Sequence, residues 1–556
     1  MRALLFMALL SSPGLAAANS LELAWLRDGA VQAQHLQHGK SAVSDNRIAQ
    51  QNVPLGSLWK LFVYAYAVDQ GLQLPPYQCL RSARQEQHED VYCCDPGQEI
   101  QRDEALVRSC GPFFDPARLG IKAAAWRAYW AAKLQAHDAD WLTDLKQLQP
   151  ASQVSVQSLL LALRAVPDNA RTQAGGALLG VVLNGRGQGS VRHFGSRLQI
   201  KTFTWAHPRK ADSKYGGGGG WLADGTPIWF GAVGSSSQVL QRWAPQIGLA
   251  LPELRQVNNE ACVVVNYFAR YPLQAVQTPL GKAAVSGPLQ GDYQLRFANG
   301  QALALRSSGE LSLQRQGKQI SIVGRHGINA YVARVVEREG DTHQPEAAKA
   351  LAIAARTYLL QNAAQRGNCW HIDDSTQTQR VGANTPARST LALVQWSDGL
   401  LLQGVAVRYH SDLEQAGVLS WRAAQQQARG GAHFDEILRQ AYPNAALGTQ
   451  AGQSDCPPFA AAETWLQQQT PRWRRRLAGT AGFEPPQSYK VCRIRYGNPH
   501  SDQARQRVYV HGLNSLNDRI ALAHEYLHLA FARHPLGVNE DFIEQKARYL
   551  LGAAHE

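Results

Sequence analysis

Apolar and polar positions follow different patterns in different parts of the 556-residue chain. Residues 20–250 mix helical and strand periodicities, which predicts one large α/β domain, and the glycine run 216–220 within it predicts a flexible hairpin tip. Residues 256–320 carry short alternating apolar runs between glycine-containing turns, which predicts a small β module. Two later apolar patterns, at 344–360 and 520–531, have the period of helices. The chain is therefore predicted to be a multidomain α+β protein.

The first residues have the composition of an export signal. Met1 and Arg2 precede an apolar stretch, and small residues follow up to Ala18. This order is typical of a secretory signal peptide over residues 1–18. No other stretch reaches 18 apolar residues, so we expect no transmembrane span in the mature protein. The expected location is periplasmic or secreted, where nucleic acid is not an expected partner.

Charge and cysteine content fit an exported protein. The chain has 56 Lys plus Arg against 43 Asp plus Glu, a net charge of +13, which predicts attraction to an anionic surface such as peptidoglycan. Eight cysteines in an export compartment predict disulfides. The sequence alone does not fix their connectivity; we expect pairing within the group Cys79, Cys93, Cys94 and Cys110, between Cys456 and Cys492, and between Cys262 and Cys369.

A His-Glu-x-x-His motif lies in the predicted helix near the C-terminus. His524 and His528 are four residues apart and share one helical face, as in half of a zinc site. Glu525, beside the first histidine, would act as the general base toward the attacking water. The alternative is a solvated helical face that carries two histidines by chance.

The segment 539–544, Asn-Glu-Asp-Phe-Ile-Glu, resembles the second metal-binding element of the gluzincin peptidases. That resemblance implies Glu540 as the third ligand and Glu544 as the residue that orients His524. It also implies a mainly helical zincin-like domain over residues 456–556 with Zn²⁺ as cofactor. The same donors could accept other divalent ions.

Three motifs in the first half resemble those of penicillin-binding transpeptidases and β-lactamases. Ser57 and Lys60 form a Ser-x-x-Lys pair, Ser109 begins the second motif, and Lys201-Thr202 begins the third. The resemblance implies a transpeptidase-like α/β domain over residues 19–255.

The same resemblance assigns a role to each residue. Ser57 would be the nucleophile and Lys60 its base, Ser109 a proton relay, and Lys201 with Thr202 the site for the substrate carboxylate. Gly111 stands where the family has Asn, and Phe203 stands where it has Gly. The alternative is that Ser57 only caps a core helix.

Four blocks in the centre of the chain resemble, in order, the SpoIID family, also called amidase enhancers: 331–339, 346–358, 373–379 and 408–411. The family's fold cleaves the glycan strand of peptidoglycan. The resemblance implies an α+β SpoIID-like domain over 256–455 with its core at 320–415. Glu339 would protonate the glycosidic oxygen. Asp373, Asp374 and His410 are candidate substrate contacts, although the two aspartates could equally cap a turn.

Taken as a whole, the chain resembles exported bacterial proteins of unknown function that contain a SpoIID-like module. The leading hypothesis is a peptidoglycan-remodelling protein that binds or cleaves glycan strands through Glu339 and carries a zinc hydrolase acting on peptide stems or a protein partner. One alternative is a secreted zinc metallopeptidase that its upstream domains target to the wall. Another is a non-catalytic scaffold, to which three departures point: Gly111, Phe203, and Gly340-Asp341-Thr342, which stands where the SpoIID family has Met-Pro.

Overall fold

The structure, a computed structural model, describes residues 20–72, 74–79, 93, 99–134, 139–182, 186–187, 189–206, 214–255, 262–317, 319–366, 369–415, 417–443, 445–449, 456, 458–493, 499–503 and 506–552. The predicted signal peptide, 1–18, lies outside these residues. Chain contacts divide the protein into two compact units. Unit 1 consists of residues 1–180 and 187–256, and unit 2 of residues 181–186 and 257–556. The domain boundary predicted at residue 455 falls inside unit 2 and stays a prediction.

The described residues form strands and helices in mixed order. The strands up to residue 233 are β1 Ser20–Arg27, β2 Ala30–Gln37, β3 Val43–Ser44, β4 Asn52–Pro54, β5 Tyr77–Gln78, β6 Glu99–Ile100, β7 Gln153–Ser155, β8 Val181–Val182, β9 Arg186–Gly187, β10 Leu198–Ala206, β11 Lys214–Leu222 and β12 Pro227–Val233. The later strands are β13 Cys262–Tyr267, β14 Leu273–Gln277, β15 Gly287–Phe297, β16 Ala302–Gln316, β17 Gln319–Gly327, β18 Ala364–Arg366, β19 Cys369–Asp373, β20 Leu401–Gln403, β21 Arg408–His410, β22 Val418–Ser420, β23 Ala446–Gly448, β24 Lys490–Arg493, β25 His500–Asp502 and β26 Arg507–Val510. The α-helices are α1 Trp59–Asp69, α2 Arg102–Val107, α3 Gly111–Phe114, α4 Ala123–Lys133, α5 Val156–Arg164, α6 Asp168–Leu178, α7 Ser190–Phe194, α8 Ser236–Ala250, α9 Ile328–Glu339, α10 Pro345–Asn362, α11 Arg388–Trp396, α12 Trp421–Arg429, α13 Phe434–Ala441, α14 Ala460–Leu477, α15 Leu516–Ala530 and α16 Glu540–Leu551.

Unit 1 is built on a six-stranded antiparallel sheet of order β10-β11-β12-β1-β2-β3. Alternating side chains of these strands bury apolar surface on both faces. Residues of α1, α5 and α6 pack in a cluster with Phe203 and Trp229 from one face. Residues of α8 pack with Ile200 and Phe230 from the other. The predicted α/β character of this part of the chain is confirmed.

The prediction of a flexible hairpin tip at residues 216–220 is wrong. These glycines lie inside β11, between β10 and β12. Their neighbours leave no room for side chains: a Cβ on Gly217 would lie 2.0 Å from the carbonyl oxygen of Phe230, and one on Gly218 would lie 2.8 Å from Cδ1 of Ile200. The run is therefore glycine because the adjacent strands approach closely, and it is part of a packed sheet.

Unit 2 contains a seven-stranded sheet of order β14-β15-β16-β17-β13-β19-β18, in which β13 and β19 run parallel. The predicted β module at 256–320 forms β13 to β16. The predicted helix at 344–360 is α10, with Pro345 at its first position, where a missing N–H costs nothing. The C-terminal part combines α14, α15 and α16 with a three-stranded sheet of order β24-β26-β25, so it is less purely helical than predicted.

Three disulfides lie among the described residues and agree with the expected groups. They join Cys93 to Cys110, Cys262 to Cys369 and Cys456 to Cys492. The second joins the facing first residues of β13 and β19. Cys79 is also disulfide-bonded, and Cys94, the remaining member of its group, lies outside the described residues. Disulfides fit the predicted export.

Candidate functional site

Helix α15 carries the His-Glu-x-x-His motif. A capping box at Ser515 and Asp518 starts the helix. The 3.6-residue period then places His524 and His528 on one face. His528 is buried, whereas His524 is partly exposed.

The two imidazoles meet the carboxylate of Glu540 at the start of α16. Nε2 of His524 lies 3.1 Å from Oε2 of Glu540, and Nε2 of His528 lies 3.5 Å from the same oxygen. The two Nε2 atoms are 3.0 Å apart. The three potential ligand atoms all lie within 4.8 Å of one another. The structure therefore brings His524, His528 and Glu540 together as a candidate metal centre, and two imidazoles with one carboxylate fit Zn²⁺.

The other ring nitrogen of each histidine, Nδ1, also has a hydrogen-bond partner. Nδ1 of His524 lies 2.9 Å from Oε2 of Glu544, the partner that the sequence predicts. Nδ1 of His528 donates to the carbonyl oxygen of Gly537 at 2.7 Å. Acceptors at Nδ1 leave each Nε2 free to bind a metal. The Gly537 carbonyl was missed, because a backbone acceptor has no side-chain signature.

Charges at this centre are strongly coupled. Burial raises the pKa of the Glu525 carboxyl to about 7, against the opposing charges of His528 and His524. Burial also opposes a charged His524, but bonds to Glu540 and Glu544 and the charge of Glu525 together raise its pKa to about 9. Hydrogen bonds from the two histidines hold the pKa of Glu540 well below its usual range.

The transpeptidase-like residues of unit 1 form a second cluster. Nζ of Lys60 donates to Oγ of Ser57 at 3.1 Å, and to the carbonyl oxygen and Oγ of Ser109 at 2.8 and 3.2 Å. Ser109 has φ 58°, a left-handed conformation that is rare for a residue other than glycine. The cap position of α1 is Leu58, so Ser57 does not cap that helix.

Two of the three residues in this cluster are buried. Ser57 is 4% exposed and Lys60 1%. Phe203, which replaces the family's glycine, is also buried. It packs tightly on Gly56: a Cβ added to Gly56 would lie 2.8 Å from the Cβ of Phe203. Phe203 therefore covers the residue that precedes Ser57.

The third motif of unit 1 lies on β10. Lys201 is fully buried, and its Nζ donates to the carbonyl oxygen of Thr202 at 2.9 Å. Successive side chains of a strand project to opposite faces, so Lys201 and Thr202 do not point the same way. Their joint role in carboxylate binding stays a prediction.

Glu339 ends helix α9 in unit 2. Its Oε1 accepts a hydrogen bond from the Arg380 amide at 2.8 Å, and burial raises the pKa of its carboxyl. Asp374 accepts from the Val381 amide at 2.9 Å, and burial likewise raises its pKa. The negative charge of Asp374 contributes to the raised pKa of Glu339, so the two carboxyl groups are neighbours.

A buried polar network lies beside Glu339. Gln379 accepts from the Tyr331 hydroxyl at 2.6 Å and donates to the Tyr409 hydroxyl at 2.7 Å. The charge of Glu339 helps to raise the pKa of Tyr409. Separate SpoIID-like blocks thus converge at one place.

The other two candidate contacts lie differently. His410 turns to its own loop, where Nδ1 accepts from the amides of Asp412 and Leu413. Asp373 ends β19, and its carbonyl accepts from the Thr378 hydroxyl.

Known proteins match the chain over most of its length. A family model described as "Predicted secreted protein (DUF2300)" matches residues 85–212 and 417–536. "Uncharacterized protein YfaQ" of Escherichia coli strain K12 is 40% identical over 549 residues, which cover 98% of each chain. The chain belongs to the YfaQ family. Because the matching family is one of secreted proteins, the predicted export is confirmed. Among the described residues, no helix combines the length and apolar character needed to cross a bilayer.

A second family model, "Stage II sporulation protein" (SpoIID), matches residues 316–396. It contains Glu339 and the first three predicted blocks, and the fourth block, 408–411, lies beyond it. The SpoIID-like segment predicted in the centre of the chain is confirmed over this range, and with it a role related to the cell wall.

Solved β-lactamases share a distant likeness with part of the chain. The β-lactamase from Desulfarculus baarsii matches with a TM-score of 0.27 and 14% identity, over 43% of this chain and 94% of that one. A class D β-lactamase from Sebaldella termitidis matches with a TM-score of 0.24 and 10% identity, over 42% and 88%. Likenesses at these scores carry no conclusion about activity.

Proposed function

We propose that this protein is an exported, peptidoglycan-associated remodelling protein. Its SpoIID-like segment binds glycan strands, and the centre on α15 and α16 is a metal-dependent hydrolase that acts on peptide stems or a protein partner. The observation that carries the hydrolase is the convergence of His524, His528 and Glu540, with a hydrogen-bond partner behind each imidazole. A chance pair of histidines on a solvated face would not explain that third group or those partners.

The residues of the centre would have two roles, metal binding and proton transfer. His524, His528 and Glu540 hold the ion, which when bound polarises a carbonyl oxygen and lowers the pKa of water. Glu525 is buried with a raised pKa, so it is suited to accept a proton near neutral pH and to return it to the leaving amine. A hydrogen bond with the Ser501 side chain acts against burial and lowers the pKa of Glu525.

Digestion of purified peptidoglycan tests this function. The wild-type protein with Zn²⁺ should release peptides, and a chelator or Glu525→Gln should stop the release. Glu484→Gln is the matched control, because Glu484 is exposed and pairs only on the surface with Arg533. If the stem peptides stay intact and labelled protein substrates are also uncut, the hydrolase proposal fails.

Glycan cleavage through Glu339 is the second candidate. Its support is the position of Glu339 within the SpoIID match, together with burial that raises the pKa of its carboxyl, the direction required of a group that donates to a glycosidic oxygen. Anhydro-muropeptides should appear with wild type and disappear with Glu339→Gln, while Glu414→Gln, an exposed change in the same unit, leaves them unaltered. Binding to glycan strands without such products would limit the segment to a binding role.

A further inference from the structure

Arg408 reaches the candidate metal centre from another part of unit 2. It lies on β21, in the fourth of the blocks predicted to be SpoIID-like. Its Nη2 is 3.5 Å from Oε1 of Glu540, while Oε2 of the same carboxylate faces His524 and His528. The carboxylate of Glu540 is thus shared between a guanidinium and the imidazole pair.

Glu544 shows the same arrangement. Its Oε2 faces Nδ1 of His524, and its Oε1 accepts from Nε of Arg548 at 2.8 Å. Arg548 is one turn away on the same helix, whereas Arg408 precedes Glu540 by 132 residues. Each carboxylate beside the histidines is therefore held by an arginine, and one of these arginines comes from the SpoIID-like half of the unit.

The strand that carries Arg408 is fixed within that half. The Tyr442 hydroxyl donates to the Arg408 carbonyl at 2.5 Å, and the next residue, Tyr409, bonds to buried Gln379. A second connection is independent of the first: α10 packs against β25, and β25 carries Ser501, which bonds to Glu525. The proposed third ligand and the proposed base are both supported from outside the C-terminal helices.

We propose that Arg408 is a positioning residue of the metal centre. It holds Oε1 of Glu540, so that Oε2 stays directed at the two imidazoles. This inference rests on the proposed metal-dependent function. It implies that the SpoIID-like segment and the metal helices form one enzyme, and that the second is not an independent peptidase targeted by the first.

The direction in which removal of Arg408 changes Zn²⁺ affinity distinguishes a positioning role from a purely electrostatic one. The Arg408 and Glu540 side chains are 67% and 55% exposed, and a pair so exposed adds little to stability. A guanidinium near a cation site repels the cation. If Arg408 acted only as a charge, its removal would strengthen Zn²⁺ binding, whereas loss of a positioning residue weakens it.

The test is the Zn²⁺ affinity of the full chain after residue 18, measured by competition with a chromophoric chelator. Arg408→Gln should weaken binding by about 10-fold, the usual effect of losing a residue that orients a ligand. Arg408→Lys, which keeps the positive charge and a donor nitrogen, should recover part of the loss. Arg422→Gln is the matched control, since Arg422 is equally exposed and pairs with Asp412; its affinity should equal that of wild type.

Other outcomes of the Zn²⁺-binding measurement would contradict either the role of Arg408 or the metal site. Unchanged or tighter Zn²⁺ binding by Arg408→Gln, with binding lost in His524→Ala, would overturn the role of Arg408 and leave the metal site standing. Absence of binding in wild type would overturn the proposed function itself. The metal-free unfolding midpoint of Arg408→Gln should match wild type; a clear fall would assign Arg408 to general stability and contradict positioning.

Discussion

The two units each assemble reactive side chains, but in opposite surroundings. In unit 1, hydrogen bonds connect Ser57, Lys60 and Ser109, and the side chains of Ser57 and Lys60 are buried. In unit 2, the carboxylate of Glu540 is more than half exposed beside its two histidines. Correct geometry alone therefore does not indicate activity, because a substrate must also reach the reacting atoms.

The largest expected effect contrasts these two clusters directly. Glu525→Gln should lower the release of peptides from peptidoglycan by about 10²–10⁴-fold, the usual contribution of a general base. Ser57→Ala should leave the release unchanged, because its hydroxyl is buried in the other unit. Mass spectrometry of the soluble products measures both. The reverse outcome, loss in Ser57→Ala alone, would move the chemistry to unit 1.

The close packing beside Ser57 involves a glycine and an aromatic residue. Gly56 has φ 49°, and a Cβ there would lie 2.8 Å from that of Phe203. Gly56→Ala should destabilise unit 1 by about 2–4 kcal/mol in urea unfolding, through backbone strain and overpacking together. Gly29→Ala is the control, because Gly29 has φ 79° and an added Cβ would have nothing within 4 Å. It should lower the free energy of unfolding only through backbone strain, by about 1 kcal/mol. Equal losses at both positions would show that Phe203 exerts no pressure on Gly56.

Acid should affect unit 2 through His326. Burial and the nearby Arg334 lower the pKa of this imidazole to about 3, from about 6.5 in an unfolded chain. As pH falls from 6.5, the unfolded chain takes up a proton that the folded chain cannot, so stability falls. Between pH 7.5 and 4.5 the free energy of unfolding should drop by about 2 kcal/mol more in wild type than in His326→Phe. Parallel pH profiles would contradict a neutral His326.

The smallest expected effect concerns access to Ser57. Wild type should react very slowly with a fluorescent penicillin, and Phe203→Gly should increase covalent labelling by about tenfold if the ring obstructs the site. Ser57→Ala in the same background should remove the label. Rapid labelling of wild type would show that unit 1 is open in solution and that the contrast between the units is false.

Local patterns predicted much of both units. The apolar pattern predicts the helix at 344–360 within two residues of its observed ends, because an apolar period is a local signal. The spacing of His524 and His528 places both on one helical face, and the resemblance of residues 539–544 to the gluzincin element implies Glu540 and Glu544 as their partners.

Long-range contacts account for what the sequence did not predict. The glycines of β11 resemble a flexible tip until the bulky residues of the adjacent strands are known. Arg408, Ser501 and the Gly537 carbonyl reach the metal centre through tertiary contacts that no spacing encodes. The sequence identifies Phe203 as a departure from the family's motif. It does not predict the packing of Phe203 on Gly56, next to Ser57.

The most direct test of the central claim is the metal content of the purified protein, with wild type and His524→Ala compared by elemental analysis after zinc supplementation. We expect one zinc per chain in wild type and none in the variant, because three ligands converge there and one is removed. Equal zinc in both, or none in wild type, would contradict a metal centre on α15 and α16 and leave the SpoIID-like segment as the remaining candidate for activity.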